Sequence, residues 1–180
     1  VHDRIGGEPI AVPHYKTVIR IEKIRDFILA PPTVEPIFFK EVVTCKPDDN
    51  VGEVAKIMLK NSFSQIPIYD GEIFKGLLTT ETISRWLADR LEANEGILME
   101  ESVGVVATFC EYDNNYRFIS RRATLYDVLE HFNDFPRSGR NLNAIIITNS
   151  GKVNQKPLGI VTVYDLPEIY RTIYDFGDGE

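Results

Sequence analysis

The 180-residue sequence has few cysteines, no long apolar run and no excess of basic charge, and each shortage narrows what the chain can be. Its two cysteines, Cys45 and Cys110, lie far apart and outside any CxxC pattern, which excludes a disulfide framework and favours a reducing, cytoplasmic setting. The longest aliphatic run, residues 144–147, is far shorter than the ~18 residues that cross a bilayer, so no membrane span is predicted. A net charge of −7 and a pI of about 5.1 argue against nucleic acid as a partner.

Catalytic and metal-binding patterns are equally scarce. The three histidines, His2, His14 and His131, have no partners at the spacing of metal ligands. Neither cysteine has a nearby base in the sequence that would activate it as a nucleophile. The glycine-rich pieces at the two termini lack the flanking strand and helix of a phosphate-binding loop. We therefore expect neither an enzyme nor a catalytic cofactor.

An internal repeat is the main feature that the sequence does contain. Residues 42–91 and 118–174 share one order of elements, β-α-β-β-α. A capping residue, Asn50 or Asp49 in the first copy and Thr124 in the second, precedes apolar residues at helical spacing. These apolar residues are Val51, Val54, Ile57 and Met58 in the first copy, and Leu125, Val128, Leu129 and Phe132 in the second.

A strand pair and a second helix complete each copy. The first strand pair turns at Asp70-Gly71, and Gly76 in its second strand matches Gly159 at an offset of 83 residues. The closing helices are predicted at about residues 81–93 and 166–174. Because one copy is too small to bury its own sheet, we expect an α+β (α/β) fold of tandem β-α-β-β-α repeats packed sheet to sheet.

These elements divide the chain into four parts. They are an N-terminal extension (1–33), a first repeat (34–93), a linker (94–116) and a second repeat (117–180). Within the extension, Tyr15 to Leu29 has the pattern of an amphipathic helix, which Pro31-Pro32 ends. Within the linker, Val103 to Phe109 is β-prone.

In each copy the last strand runs into a helix through a short motif. The second copy reads Gly159-Ile160-Val161-Thr162-Val163-Tyr164-Asp165, in which an acid stands three positions after a hydroxyl residue. The first reads Gly76-Leu77-Leu78-Thr79-Thr80-Glu81-Thr82, with Thr82 in place of the acid. In this duplicated form the chain resembles a CBS domain pair, or Bateman module, over about residues 34–174. The resemblance implies a pseudo-twofold pair of repeats that binds an adenosine-containing ligand, with AMP, ADP or ATP favoured.

A strand-to-helix junction suits a nucleotide because free backbone N–H groups and the helix dipole face the ligand, and a carboxylate there can accept ribose hydroxyls. The resemblance places the adenine ring against the other copy, near its pre-strand segment and second strand. The implied ligand-binding residues are Phe38, Lys40, Phe63, Ser64, Gln65, Ile160, Thr162, Tyr164 and Asp165. A second cleft, weaker because it lacks the acid, would use Thr79, Thr82, Leu142, Asn143 and Ala144.

Each of these assignments has a structural alternative. Asp165 could simply cap the last helix, since Asp is a favoured capping residue. The two phenylalanines could belong to the core, and Lys40 could be a solvated surface lysine. Arg137 and Arg140, in a loop insertion, could reach a phosphate or lie on the surface.

The function that the sequence favours is a non-catalytic sensor of an adenine nucleotide. The alternatives are an enzyme, a structural dimerisation module with a decayed ligand site, and a regulatory piece of a larger enzyme or transporter. CBS pairs commonly associate through their helical faces, and Trp86 and Leu87 are expected to remain partly uncovered on a single module. Exposed apolar patches usually mark interfaces, so a homodimer is expected.

Overall fold

The structure is a computed structural model that describes residues 14–93, 100–110, 115–134 and 141–174, together with two short N-terminal strands. These strands, β1 (Arg4–Ile5) and β2 (Glu8–Pro9), pair antiparallel. Helix α1 (Tyr15–Leu29) spans the predicted range, and it ends two residues before the Pro31-Pro32 pair. No side chain of α1 is buried, so the helix lies outside the core.

The first helix of the first repeat begins at the predicted cap. A short helix, α2 (Glu35–Phe38), comes before it, and α3 (Val51–Asn61) then starts at Asn50, whose Oδ1 accepts a hydrogen bond from the Glu53 N–H at 3.1 Å. Three of the four predicted apolar residues of α3 are buried, but Ile57 is 41% exposed and lies outside the core. The expectation that Ile57 packs inside was therefore wrong.

A hairpin and a long helix complete the first repeat. Strands β3 (Gln65–Asp70) and β4 (Ile73–Thr79) pair antiparallel around a turn in which Gly71 has φ +61°, and α4 (Thr80–Glu92) follows directly. The strand predicted before α3 is reduced to a single parallel bridge between Cys45 and Ile68. Pro47, two residues after Cys45, has no N–H to extend that ladder.

The second repeat has the predicted order of elements. Strand β5 (Tyr116–Ser120) pairs parallel with β6 (Ala144–Thr148), and β6 pairs antiparallel with β7 (Gly159–Val161). Between the two strands of the parallel pair lies α6 (Leu125–Asp134), and a 3-10 turn (Val163–Asp165) leads from β7 into α7 (Leu166–Tyr174). Thr124 caps α6 as predicted, since its Oγ1 accepts from the Asp127 N–H at 3.2 Å. The α+β fold of two repeats is therefore confirmed.

The β-prone part of the linker forms a helix, α5 (Val103–Ala107), which corrects the sequence expectation. This helix packs on the first repeat: the Val103 N–H donates to the Asp49 carbonyl at 2.9 Å, and the Val51 N–H donates to the Glu101 carbonyl at 2.8 Å. Trp86 shares this core and is only 1% exposed. The expectation that Trp86 stays uncovered on a single module was therefore wrong, because α5 covers it.

The segment around α2 precedes the rest of the first repeat in the chain but packs on the second repeat. The Val34 N–H donates to the Ala123 carbonyl at 3.0 Å, and the Leu125 N–H donates to the Pro32 carbonyl at 2.8 Å. The side chains of Val34 and Phe38 are fully buried in the core of the second repeat. Each repeat thus receives the helix that precedes the other one in the chain.

The two sheets meet through aromatic rings. Phe74 of β4 lies edge-on to two rings of β5, with ring centroids 4.7 Å from Tyr116 and 5.1 Å from Phe118. Tyr69 and Ile146 complete this buried cluster. The sheet-to-sheet packing expected from the repeat is therefore confirmed, and it leaves clefts between the repeats at the ends of the strands.

Candidate functional site

A cavity of about 330 Å³ opens between the two repeats, and its size is typical of small-molecule sites. Four segments meet there: the starts of β3 and β6, and the turns that lead from β4 into α4 and from β7 into the 3-10 turn. The main lining residues in chain order are Ser64 and Gln65, then Thr79, Thr80 and Glu81, then Asn141, Leu142 and Asn143, then Val163 and Tyr164. Phe132 of α6 adds an apolar wall.

The two turns are equivalent by sequence but differ in chemistry. The offset of 83 residues that relates Gly76 to Gly159 also relates Glu81 to Tyr164. Both residues are exposed: Glu81 in the first turn of α4, and Tyr164, at 76%, in the 3-10 turn before α7. One side of the cavity thus carries a carboxylate and the other a phenol.

A smaller cavity of about 50 Å³ shares four of these lining residues and extends the cleft inward. It adds Thr82, Cys110 and Asn115 to the walls. The Asn143 N–H donates to the Asn115 carbonyl at 2.7 Å, because β5 and β6 run parallel and their starts lie side by side.

Across the larger cavity, the repeats are joined by one side-chain hydrogen bond. The Gln65 Nε2 group donates to the Asn143 carbonyl at 3.2 Å. Both residues are only partly buried, so their remaining polar atoms face the cleft. A ligand in this cleft would touch both repeats.

Asp165, the acid of the second motif, caps the helix start. Its Oδ2 accepts from the Thr162 N–H at 2.7 Å and from the Thr162 hydroxyl at 3.0 Å. Within the described residues, Oδ1 accepts no hydrogen bond and stays available to a donor outside the protein. Capping, the alternative weighed from the sequence, is therefore present, and it occupies one of the two carboxylate oxygens.

In the first motif, Thr82 stands where the second motif has its acid. The Thr82 N–H donates to Oγ1 of Thr79 at 3.0 Å, and the two hydroxyls lie 2.9 Å apart. Both residues are buried, at 2% and 4% exposure, so the hydroxyl of Thr82 is turned inward to Thr79.

Several backbone donors at these helix starts are already engaged, whereas the sequence led us to expect free ones. At α4, the Thr80 N–H donates to the Ser64 carbonyl at 3.0 Å, in addition to the bond from the Thr82 N–H to Thr79 Oγ1. At the 3-10 turn, the Tyr164 N–H donates to Thr162 Oγ1 at 3.3 Å and the Asp165 N–H to the Thr162 carbonyl at 3.0 Å. These four groups are therefore already paired within the protein, two with threonine side chains and two with backbone carbonyls.

The cavity brings together members of both predicted clefts. From the stronger cleft it contains Ser64, Gln65 and Tyr164, and from the weaker one Thr79, Leu142 and Asn143. Thr82 lines only the smaller cavity, and Ala144 is fully buried in β6. Thr162 and Asp165 flank the lining residues Val163 and Tyr164 in the chain without lining the cavity themselves.

The remaining predicted residues lie away from the cavity walls. Phe38 is 1% exposed with its ring in the core, so only its backbone could meet a ligand. Lys40 is on the surface, and Phe63 is 38% exposed just after α3. Ile160 pairs with Ile146 within the sheet. Arg137 and Arg140 lie outside the described residues.

Sequence reasoning missed several lining residues, chiefly Glu81, Asn115 and Asn141. A signal was present for the two asparagines, because each precedes a predicted strand of the second repeat, and the starts of parallel neighbours share one sheet edge. Glu81 stands one place before Thr82, the position where the second motif has its acid, and it lines the cleft beside Thr80.

Other chemical groups do not form a second site among the described residues. Burial raises the pKa of the Cys45 thiol to about 12, so this thiol is a core group and a poor nucleophile. Within the same residues there is no group of three or more potential metal ligands. No helix in that part of the chain is long and apolar enough to cross a membrane.

Comparisons with known proteins agree with this geometry. The CBS domain family model matches residues 34–89, whereas comparison with curated proteins gave no match. The fold is similar to a protein with CBS domains from Burkholderia ambifaria MC40-6, at 14% identity and a TM-score of 0.57, covering 82% of this chain and 99% of that one. It is also similar to CBSX2 in complex with AMP, at 12% identity and a TM-score of 0.56, covering 79% and 98% of the two chains.

A third similar structure is the CBS domain pair of the protein MJ0100, in complex with 5′-methylthioadenosine and S-adenosylmethionine. It shows 18% identity and a TM-score of 0.55, and the match covers 78% of this chain and 97% of that one. At such identities the likeness concerns the fold, while the family model identifies the domain type. Residues 34–89 thus match the CBS domain, and the two repeats together have the fold of a CBS domain pair.

Proposed function

We propose that this chain is a non-catalytic regulatory module that binds an adenosine-containing ligand in the cleft between its two repeats. The observation that carries the proposal is the cavity of about 330 Å³ on which the two strand-to-helix turns converge. Solved CBS proteins of the same fold support the ligand class, since CBSX2 was crystallised with AMP and the MJ0100 pair with 5′-methylthioadenosine and S-adenosylmethionine. Within that class the sequence resemblance favours AMP, ADP or ATP.

The residues of the cleft suit a nucleoside. The partly buried amide of Gln65 and the hydroxyl of Ser64 supply hydrogen-bonding groups for a base edge, and the ring of Tyr164 supplies an exposed apolar face. Asp165 follows Tyr164 directly, and its Oδ1 can accept a ribose hydroxyl. The other predicted residues, Phe38, Lys40, Phe63, Ile160 and Thr162, would act from the rim or through the backbone.

The two halves of the cleft should bind unequally. The position equivalent to Asp165 is Thr82, whose hydroxyl is buried against Thr79. A hydrogen bond to a charged group contributes about 1.5–3 kcal/mol, against about 1 kcal/mol for a neutral one. We therefore propose one strong nucleotide site per chain, with the half-cleft at Thr79 and Thr82 weaker by roughly tenfold.

Calorimetric titration with AMP, ADP, ATP, S-adenosylmethionine and cyclic di-AMP tests this proposal. We expect binding without turnover, near one site per chain, and a loss of at least about tenfold in Asp165→Ala. Asp127→Ala is the matched control, because Asp127 accepts from the N–H and the hydroxyl of Thr124 at 2.7 and 2.9 Å and so caps α6 as Asp165 caps its own helix. Equal losses in both variants would show that capping alone explains Asp165.

The same titration separates the other classes of function. Hydrolysis of a ligand would indicate an enzyme, and no binding of any of the five compounds would favour a structural dimerisation module. A reducing, cytoplasmic setting fits the two cysteines, neither of which forms a disulfide.

We also propose that the chain forms a homodimer. Helix α1 carries several exposed large apolar residues: Tyr15, Val18, Ile19, Ile21, Ile24, Ile28 and Leu29. Exposed apolar patches usually mark interfaces, and the adjacent Tyr126 of α6 is also exposed, beside a hollow of about 290 Å³. A second copy presents the same apolar surface, which allows an isologous contact.

Light scattering tests the assembly. We expect a mass of about twice the 20.5 kDa monomer at tens of micromolar, and a shift toward monomer in Ile28→Lys, because Ile28 is 74% exposed on α1. Leu59→Lys is the matched control, since Leu59 is 84% exposed but lies on α3. A wild-type monomer under these conditions would exclude the dimer.

A further inference from the structure

The charge of the cleft narrows the ligand class. We infer that the cleft selects adenosine-type ligands without phosphate groups, such as a nucleoside or a 5′-thionucleoside, over AMP, ADP and ATP. The inference rests on the proposed function and reverses the nucleotide preference that the resemblance implied. Three features of the walls support it: the position of one carboxylate, the state of the backbone donors, and the chemistry of the remaining side chains.

The carboxylate is that of Glu81. Glu81 is exposed at the first turn of α4 and lines both the larger and the smaller cavity. The other described lining side chains are uncharged. A phosphate in this cleft would therefore meet a like charge, and like charges a few ångströms apart in a partly water-excluded site repel strongly.

Several backbone donors at both helix starts are used internally. Anion sites at helix N-termini work because unpaired N–H groups point at the ligand. Here the Thr80 N–H donates to the Ser64 carbonyl and the Thr82 N–H to Thr79 Oγ1, each at 3.0 Å. At the 3-10 turn, the Tyr164 and Asp165 N–H groups donate to Thr162. A phosphate would have to break these bonds to gain those four donors, so part of the usual compensation for its dehydration is missing.

The remaining walls suit neutral hydrogen-bonding groups. Hydroxyls of Ser64 and Thr80 and amides of Gln65, Asn141 and Asn143 line the larger cavity. Hydroxyl and amide groups both donate and accept, which matches the base edge and the ribose of a nucleoside. A positive charge at the 5′ end, such as a sulfonium, would gain from Glu81 instead of being repelled by it.

The inference can be tested by titrating adenosine, 5′-methylthioadenosine, S-adenosylmethionine, AMP and ATP into the full chain at 20 mM and 300 mM salt. At low salt we expect adenosine and 5′-methylthioadenosine to bind at least about tenfold more tightly than AMP, and ATP to bind most weakly. At high salt the gap should narrow, because screening weakens repulsion between exposed charges.

Substitution of the carboxylate separates charge from shape. Glu81→Gln should strengthen AMP binding several-fold relative to adenosine binding in the same variant, because only the phosphate meets the lost charge. Glu92→Gln is the matched control, since Glu92 is exposed at the far end of the same helix. AMP binding that equals or exceeds adenosine binding, with no response to Glu81→Gln, overturns the inference but leaves the proposed function standing.

Two further outcomes complete the test. Arg137 and Arg140 precede Asn141 in the chain, so an AMP preference that disappears in Arg137→Ala with Arg140→Ala would overturn the inference and assign the phosphate to that segment. If none of the five compounds binds, the proposed function itself fails. The two failures are therefore distinguishable within one set of titrations.

Discussion

Gly159, the motif glycine of the second repeat, is where the packing of the fold can be tested most sharply. A Cβ built on Gly159 would overlap the carbonyl oxygen of Phe38, and it would lie 3.1 Å from the Phe38 carbonyl carbon and 3.2 Å from Cδ1 of Ile147. The glycine is needed for this close approach of two backbone segments, since its φ does not lie in the left-handed region.

The size of the effect follows from what must move. The nearest atom belongs to the backbone, so no rotamer change relieves the overlap, and α2 must shift away from β7. Overpacking of this kind typically costs about 1–3 kcal/mol, and the backbone contact puts Gly159→Ala near the upper end. For a protein of this size, a loss of about 3 kcal/mol lowers Tm by roughly 6–12 °C.

Urea denaturation and thermal unfolding measure this directly. Gly71→Ala is the control for an added methyl without a clash, because Gly71 has open space around it and only its φ of +61° is unfavourable, at about 1 kcal/mol. Combining Gly159→Ala with Phe38→Leu should give additive losses, since the ring is not the obstacle. A Gly159→Ala protein as stable as the wild type, or rescue by Phe38→Leu, would refute the contact between the two backbones.

Three further predictions concern Tyr69 and the two cysteines. Tyr69→Phe should raise the free energy of unfolding by about 1 kcal/mol in urea titrations, because the buried Tyr69 hydroxyl has no hydrogen-bond partner within the described residues; a clear loss would indicate a partner. The free energy of unfolding should fall as pH rises above about 9, and more steeply above about 10. Burial raises the pKa of both Cys45 and Tyr69 to about 12, so in this range the folded state keeps protons that the unfolded state loses. Unfolding midpoints that stay constant at alkaline pH, or a pH dependence that is the same in Tyr69→Phe, would contradict this. Ligand should slow alkylation of Cys110, which lines the smaller cavity, while Cys45 stays unreactive in the native protein as an internal control; equal Cys110 rates with and without bound ligand would place the ligand elsewhere.

The local elements could be predicted from the sequence because their signals are local. Asn50 and Thr124 cap the helices as expected, and Asp70-Gly71 forms the hairpin turn. Such signals depend on side chains within a few residues of one another, so the sequence alone contains them. The same holds for α1, whose bounds Tyr15–Leu29 match the prediction.

The exchange of helices between repeats could not be predicted in this way. Nothing near Val34 in the sequence indicates that its N–H bonds to Ala123, or that Phe38 is buried in the second core. The burial of Trp86 could not be predicted for the same reason, because the helix that packs over it, α5, lies in the linker. The predicted ligand-binding residues are affected as well. The resemblance places the ring of Phe38 at the cleft, but a long-range contact buries it in the core of the second repeat.

The strand-to-helix turns show that the helix of each repeat can begin with or without an acid in the motif. Asp165 accepts from the N–H and the hydroxyl of Thr162, and Asp127 accepts from the same groups of Thr124, at nearly the same distances. In the first repeat, the Thr82 N–H donates to Thr79 Oγ1, the two hydroxyls lie 2.9 Å apart, and α4 begins at Thr80 although position 82 carries no acid. A carboxylate at this position is therefore not required for a helix to begin. What the carboxylate adds at position 165 is a second oxygen, Oδ1, that accepts no hydrogen bond within the described residues. If the cleft binds a nucleoside as proposed, that oxygen is the group that can accept a ribose hydroxyl.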